Sequence, residues 1–276
     1  MQLMKSSYTE LTAPGRGYVT DLLKPDETLD MLETYGFAVT RSPSATVSAE
    51  DAHREMAAIR ADLGLGDPYV PLLYRDRDAP IVTEVTRKAD SDHPVFHTGA
   101  AQGWHTDGLL EAIGTIKTTL LYCVRPARGG GRTFLLNAGR VFDELRAEDS
   151  EAAGILLRDT ILGRRSTIPG VDREAVGPVF AELGDGHYAT RYGQGQVEHW
   201  YPKDAAEQKV LDRALAYFTA RRDDPDVRID LLLRAGQCLI FRNDVLAHGR
   251  EHFTDDSRHP RLLLRSLHTD APKRTA

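Results

Sequence analysis

The sequence predicts a mainly β fold, a barrel or sandwich with helices flanking it, and three observations point there. From residue 68 onward, short β-rich runs follow one another, separated by turns rich in glycine and proline. Helical periodicity gathers in the first 65 residues and in a few later insertions. No repeat, low-complexity tract or linker divides the chain. Strands and helices are therefore expected to share one core. Residues 1–276 read as one domain, with a helical buttress over about residues 20–65 and a β core with inserted helices over about residues 68–270.

Taken in order, Pro25-Asp26-Glu27 starts a helix that carries Leu29, Leu32 and Tyr35 at helical spacing and ends at Gly36. Gly36–Thr40 reads as a strand. Ser48 caps a second helix with Asp51 three residues on, running through Met56 and Ile59 to Leu63-Gly64. Strands are expected at Tyr69–Tyr74 and Ile81–Thr86, then a loop over Asp90–Gly103, then a long β-rich run over Thr115–Val124 that Arg125-Pro126 ends. Gly129-Gly130-Gly131 turns into a strand over Arg132–Leu136. Helices follow at Gly139–Arg146 and Ser150–Arg158. Gly163–Gly177, with Pro169-Gly170, is either a lid over a site or a plain surface connection. Val179–Leu183 and His187–Tyr192 have a hairpin signature across Gly184-Asp185-Gly186. Lys203–Arg222 is helical, with Val210, Leu211, Leu215 and Phe218 along one side. Val227–Leu233, Gln237–Phe241 and Leu262–Leu267 are the last strands.

Composition narrows the function classes. With 41% apolar and 28% charged residues the chain is an ordinary globular protein. A net charge of −6 and the lack of a basic, aromatic-rich stripe argue against nucleic acid as a partner. No apolar run is long enough to span a membrane, and Met1–Ser7 lacks the apolar stretch of a signal peptide. The two cysteines, Cys123 and Cys238, each lie inside an apolar run and read as buried thiols of a cytoplasmic protein. A small-molecule substrate is expected; a homo-oligomer is left open.

Three His-x-acid triplets stand out: His53-Arg54-Glu55, His105-Thr106-Asp107 and His268-Thr269-Asp270. In an extended strand, residues two apart face the same side, about 7 Å apart, so one ion can meet both. His53 and Glu55 fall in a helix, where residues two apart diverge; a surface pair is expected. His268-Thr269-Asp270 ends the last strand and is expected to point into solvent. His105-Thr106-Asp107, flanked by Gly103 and Gly108, sits mid-chain before a long strand. Its candidate third partner is His248, where the polar turn after Cys238-Leu239-Ile240-Phe241 returns. The residues alone leave His248 open between a ligand and a structural histidine.

Arg261-Leu262-Leu263-Leu264-Arg265 sets two arginines on one face of a strand, about 13 Å apart, with Leu262 and Leu264 on the other. Facing an interior, each arginine would need an anion; facing solvent, neither would. Periodicity does not choose. Thr133 and Arg191 are further polar groups on strands.

In order and spacing these residues resemble the Fe(II)/2-oxoglutarate dioxygenases of the taurine dioxygenase-like (TauD/TfdA), clavaminate synthase-like group. Trp104-His105-Thr106-Asp107 is similar to the family's His-x-Asp strand, and Pro126–Thr133 to its Pro-x-x-Gly-Gly-x-Thr turn with one extra residue. Asn243–Arg250 resembles the segment of the distal histidine, and Arg261 and Arg265 its closing Arg-x-x-x-Arg. The likeness spans most of residues 20–268.

The resemblance implies a double-stranded β-helix (jelly-roll) core, with Fe(II) held by His105, Asp107 and His248. It implies 2-oxoglutarate chelating the iron, its far carboxylate met by Arg261 and Thr133, a pairing that suits a planar guanidinium. O2 is the third reactant, with succinate and CO2 as coproducts. Arg265 is expected to meet a small acidic substrate, carboxylate- or sulfonate-bearing or amino-acid-like, with Arg191, Trp104 and the loop Asp90–Gly103 as further substrate candidates. Hydroxylation of an unactivated C–H is the expected reaction, in natural-product biosynthesis; desaturation and ring formation stay open. His97-Thr98-Gly99 has the His-x-Gly form of related halogenases but lies too far upstream of Thr133. Two other classes compete: a zinc hydrolase on the same ligands, though no His-Glu-x-x-His is present, and a non-catalytic β-barrel binding protein.

Overall fold

Helix α1 (Pro25–Tyr35) begins on its proline with Asp26 and Glu27 in the first turn, and Gly36 ends it at a φ of 75°, returning its amide to Leu32 O at 2.9 Å. It separates β1 (Val19–Asp21) from β2 (Phe37–Arg41), which pair in parallel. Helix α2 (Ala49–Asp62) starts in a capping box: Ser48 Oγ accepts the Asp51 amide at 3.1 Å, and the Asp51 carboxylate accepts the Ser48 amide at 3.0 Å. A computed structural model of the chain describes residues 19–21, 24–44, 47–75, 80–87, 98–166, 168–184, 187–195, 197–256 and 258–274. Most of the loop Asp90–Gly103, His97 included, and the hairpin tip Asp185-Gly186 lie outside these residues.

Two sheets make the β core. The larger runs in the order β1, β2, β14 (Gln237–Arg242), β5 (Thr118–Arg125), β17 (Leu262–His268), β3 (Thr83–Thr86). The smaller runs β13 (Arg228–Leu231), β7 (Thr133–Leu136), β15 (Ala247–Arg250), β4 (Gln102–His105). Neighbours far apart in sequence alternate in both sheets, as a jelly roll requires. The period of two sorts each strand's side chains. Phe37, Val39, Cys123, Leu239, Phe241 and Leu263 face Leu135 and Leu246 in the layer between the sheets. Ala38, Leu120, Tyr122, Cys238, Ile240 and Leu264 point the other way, onto Leu29, Leu32, Met56 and Ile59 of α1 and α2.

A third cluster covers the outside of the smaller sheet. There α3 (Ala138–Glu148), α4 (Ser150–Ile155) and α5 (Ala205–Arg221) pack with the hairpin β10 (Phe180–Gly184)–β11 (His187–Thr190). Phe142 stacks on Phe180 with ring centroids 4.0 Å apart, and Tyr192 on Phe218 at 4.4 Å. The two-residue strands β6 (Gly129–Gly130) and β16 (Phe253–Thr254) pair at the glycine turn. A last sheet, β12 (Glu198–Trp200), β8 (Leu162–Arg165), β9 (Glu174–Gly177), completes the fold. Among the described residues no helix is long and apolar enough to cross a membrane.

Several elements depart from the sequence expectation. Tyr69–Tyr74 is irregular and ends in a turn rather than forming a strand: Pro71 has no amide to donate, and the amides on either side of it go elsewhere, Tyr69 N to Leu267 O at 2.7 Å and Leu72 N to the Glu111 carboxylate at 2.6 Å. The stretch Gly163–Gly177 holds β8 and β9 instead of an irregular loop. His53 is exposed, but Glu55 turns inward, accepting Ser42 Oγ at 2.6 Å and the Tyr122 hydroxyl.

His268 does not reach solvent. It lies on the same face of β17 as Leu264 and is fully buried, with Nε2 3.0 Å from Ser266 Oγ. Burial depresses its pKa to about 4. A histidine kept neutral by burial binds its proton more readily when unfolded, so between about pH 6.5 and 4 stability falls on acidification, by on the order of 1 kcal/mol per pH unit. The melting temperature is expected to drop from pH 7 to pH 5, and His268→Gln to make that drop shallower.

Candidate active site

A cavity of about 540 Å³ opens between the segment Gln102–Leu109, the strands β8 and β12, and the inner face of β17. Its volume is in the range of small-molecule sites. Strand β4 runs into it, so His105 ends a strand and Asp107 follows on the same side. Strand β15 lies against β4 with His248 directly opposite His105. Their rings stand 4.1 Å apart, centroid to centroid, and His248 Nε2 is 3.7 Å from Asp107 Oδ2. One donor atom from each of His105, Asp107 and His248 lies within 4.8 Å of the other two. Gly249 makes this approach feasible: a Cβ there would strike the Phe134 ring and come within 2.7 Å of Gln102 O.

Neighbours fix each of the three. Asn243 Oδ1 accepts the Asp107 amide at 2.7 Å, while its Nδ2 donates to Asp107 O at 3.2 Å and Ile116 O at 2.9 Å. Thr119 Oγ1 donates to Asp107 Oδ2 at 3.0 Å, and Arg265 Nη1 pairs with Asp107 Oδ1. His105 Nδ1 donates to Gly103 O at 2.9 Å, leaving Nε2 as the ring's acceptor, 2.9 Å from Gln102 Nε2.

The electrostatics suit a cation. Burial alone would push the Asp107 carboxyl up, but Arg265, then His248, His105 and the Thr119 hydroxyl, hold its pKa at about 2. Burial depresses both imidazoles, His248 to about 3, with His105 adding to the effect there. One anionic oxygen donor and two neutral nitrogen donors on one side of a cavity fit a two-histidine, one-carboxylate iron site with open positions. Four sulfur- or histidine-rich ligands, the usual structural zinc set, are not assembled among the described residues.

On β17, Leu263 joins the layer between the sheets and Leu262 and Leu264 face the helices. Arg261 and Arg265 therefore point inward, which the sequence left open. Arg265 lines the cavity. Arg261 lies at the glycine turn: its guanidinium sits over the Phe253 ring at 5.0 Å, and its Nε is 3.7 Å from where a Cβ on Gly131 would stand. Its Nη1 is buried without a hydrogen-bond partner, and burial lowers its pKa to about 10. Arg250 also lies over this ring, at 4.8 Å, opposite Thr133 in the β15–β7 register. Two buried cations beside a buried threonine make a setting that calls for an anion, although none of the three is among the residues that line the cavity.

Two other candidates sit differently. The Trp104 ring packs edge-on against Phe134 at 4.4 Å, with Arg228 above it at 5.5 Å, although the residue also borders the cavity. Arg191 is not among the cavity-lining residues; its Nη2 donates to Ala175 O at 2.9 Å and ties β11 to β9. Sequence reasoning passed over Arg164 and Glu198, which do line the cavity. They meet only because β8 pairs with β12 across more than thirty residues, and neither carries a local sequence signal.

Residues 15–267 match the family described as taurine catabolism dioxygenase TauD, TfdA family. A uridine-5'-phosphate dioxygenase from a Streptomyces species is 82% identical over 274 residues, covering 99% of both chains. A protein of the same name from an Amycolatopsis species is 42% identical over 254 residues, covering 90% of each. Among solved structures, an asparagine oxygenase in complex with Fe(II), 3-hydroxyasparagine and succinate is similar with a TM-score of 0.64 and 18% identity over 97% of this chain and 91% of its own. A taurine dioxygenase from Burkholderia xenovorans gives 0.61 and 19%, over 96% and 85%. The chain belongs to the TauD/TfdA family and is a 2-oxoglutarate-dependent dioxygenase that uses Fe(II), 2-oxoglutarate and O2 on a small-molecule substrate.

Proposed function

We propose that this enzyme oxidises a C–H bond of uridine 5'-phosphate, with His105, Asp107 and His248 holding the iron. The observation that carries the substrate is the 82% identity to a uridine-5'-phosphate dioxygenase over 99% of both chains. The acidic substrate expected from the sequence then becomes a nucleoside monophosphate rather than an amino acid, and its acid a phosphate. We propose too that the chain works as one domain. Hydroxylation is the reading favoured; desaturation and ring formation would use the same residues.

When bound, Fe(II) with 2-oxoglutarate and O2 supplies the oxidant, and succinate and CO2 are the coproducts. The protein binds and orients. Gly103 O fixes the His105 tautomer so that Nε2 faces the site. Asn243 and Thr119 hold Asp107 against rotation, and Arg265 neutralises its outer oxygen while adding positive charge to the cavity wall. Arg261, with Thr133, receives the far carboxylate of 2-oxoglutarate; the orphaned Nη1 is the donor left for it. Arg265 is the cationic residue of the cavity wall that meets the substrate's phosphate end. Trp104 and Arg191 support that wall from behind.

The test is succinate release by enzyme loaded with Fe(II), 2-oxoglutarate and O2. Uridine 5'-phosphate is expected to raise the rate at least tenfold over the substrate-free rate, with one succinate formed per nucleotide consumed, whereas asparagine and taurine are expected to leave it unchanged. A rate raised by either amino compound and not by the nucleotide would overturn the reading.

A further inference from the structure

Glu198 is a buried charge with its hydrogen bonds unmade. Its side chain is 2% exposed, yet neither carboxylate oxygen has a hydrogen-bond partner among the described residues. The nearest cation is Arg164, whose Nε stands 3.8 Å from Oε1, beyond hydrogen-bonding reach, and that Nε is itself without a partner. Burial pushes the Glu198 carboxyl up; Arg164 opposes, as do the backbone amides of Gly195 and of Glu198 itself, which lie near the carboxylate without reaching hydrogen-bond geometry. A structural ion pair at this depth would be expected to close its hydrogen bonds. Here one N–H and two carboxylate oxygens are left open on the cavity wall.

The rest of the Arg164 guanidinium is committed. Nη2 donates to Thr106 O at 2.7 Å and Nη1 to Gly108 O at 3.2 Å, on the loop that carries Asp107. Glu198 therefore stands one guanidinium away from the metal-ligand loop. A group bound between Arg164 Nε and Glu198 must accept a hydrogen bond and donate one. A hydroxyl does both, whereas a carbonyl or a phosphate dianion only accepts. Two free carboxylate oxygens match two adjacent hydroxyls, the geometry by which an acidic residue holds the ribose of dinucleotides.

Resting on the substrate reading above, we propose that Glu198 selects a ribonucleotide, its carboxylate accepting hydrogen bonds from the 2'- and 3'-hydroxyls of the substrate's ribose. This places the sugar, rather than the base, beside the metal-ligand loop. Gly193 is part of the device, because a Cβ there would run into Glu198 Oε1; Gly193→Ala displaces the carboxylate without altering it chemically.

The experiment compares kcat/KM for uridine 5'-phosphate and 2'-deoxyuridine 5'-phosphate in the wild type, Glu198→Gln and Gly193→Ala, read from succinate release. A site built around a substrate hydroxyl rejects the analogue lacking it strongly, so the wild type is expected to favour the ribonucleotide by at least about 100-fold. Both variants are expected to shrink that ratio to within about fivefold, chiefly by losing activity on the ribonucleotide. Equal wild-type activity on the two nucleotides would overturn the ribose assignment and leave the uridine 5'-phosphate reading standing. A ratio kept in Gly193→Ala and Glu198→Gln while both activities fall together would make Glu198 a structural partner of Arg164 and overturn the proposal. No wild-type activity on either nucleotide would overturn the substrate reading and this proposal with it.

Discussion

Asp107→Ala is expected to abolish iron retention and to lower nucleotide-dependent succinate formation by about a thousandfold or more, since several kcal/mol of charge stabilisation at the reacting centre depends on the metal. The same change carries a structural cost. Arg265 is buried, with a side chain 9% exposed, and pairs with Asp107 Oδ1. Removing one partner of a buried ion pair costs on the order of 3–5 kcal/mol. Asp107→Ala should therefore lose both metal and melting temperature, whereas Asp107→Asn keeps its carbonyl oxygen as an acceptor for the guanidinium, its NH2 donating to a reversed Thr119 hydroxyl, and should lose mainly metal. Iron content after desalting, with a thermal melt of the metal-free protein, checks both. Retention of one iron per chain in Asp107→Ala would remove this residue from the ligand set.

Arg261→Leu carries the second large effect. Arg261 is 4% exposed and its Nη1 has no hydrogen-bond partner, while Gly131 and Phe253 close around it. If the far carboxylate of 2-oxoglutarate completes that site, leucine removes a charge-assisted pair worth roughly 2–3 kcal/mol. The KM for 2-oxoglutarate should then rise by about 30- to 150-fold. Leucine also relieves the like-charge contact with Arg250, whose pKa is held near 10 by burial and then by Arg261, so stability should hold or rise. A steady-state titration of 2-oxoglutarate at saturating nucleotide measures the first, and a melt the second. An unchanged KM would move the cosubstrate site elsewhere, with Arg250 the next residue to replace.

The site was legible where chemistry coincides with strand periodicity. His105 and Asp107 share a side because a strand repeats every two residues, and helix α2 separates His53 from Glu55 for the same kind of reason. The order of the glycine turn, His248 and the two arginines carried the resemblance to the family. Periodicity could not say which face of β17 is the inner one. That depends on Leu264 meeting α2 while Leu263 meets Leu135, and those contacts are made far along the chain. His268 was misplaced for the same reason: being last in a strand does not put a residue in solvent when α2 covers that face. The strand expected at Tyr69–Tyr74 failed on Pro71, which interrupts it. Arg164 and Glu198 were illegible because the short strands that hold them have no alternation to read, and only their pairing brings both to the cavity.

Fe(II) on His105, Asp107 and His248, a uridine nucleotide in the cavity beside it, and 2-oxoglutarate reaching from the iron to Arg261 at the glycine turn are three binding events that depend on one another. Anaerobic absorbance titration tests all three at once, because the weak visible charge-transfer band of an iron-bound 2-oxo acid needs both components and responds to a neighbour entering the site. The wild type is expected to develop the band only when Fe(II) and 2-oxoglutarate are both present, and to shift it when uridine 5'-phosphate is added; His248→Ala should give no band. A band that persists in His248→Ala would remove that residue from the iron's ligands, and one that saturating nucleotide leaves unmoved would place the nucleotide away from the iron.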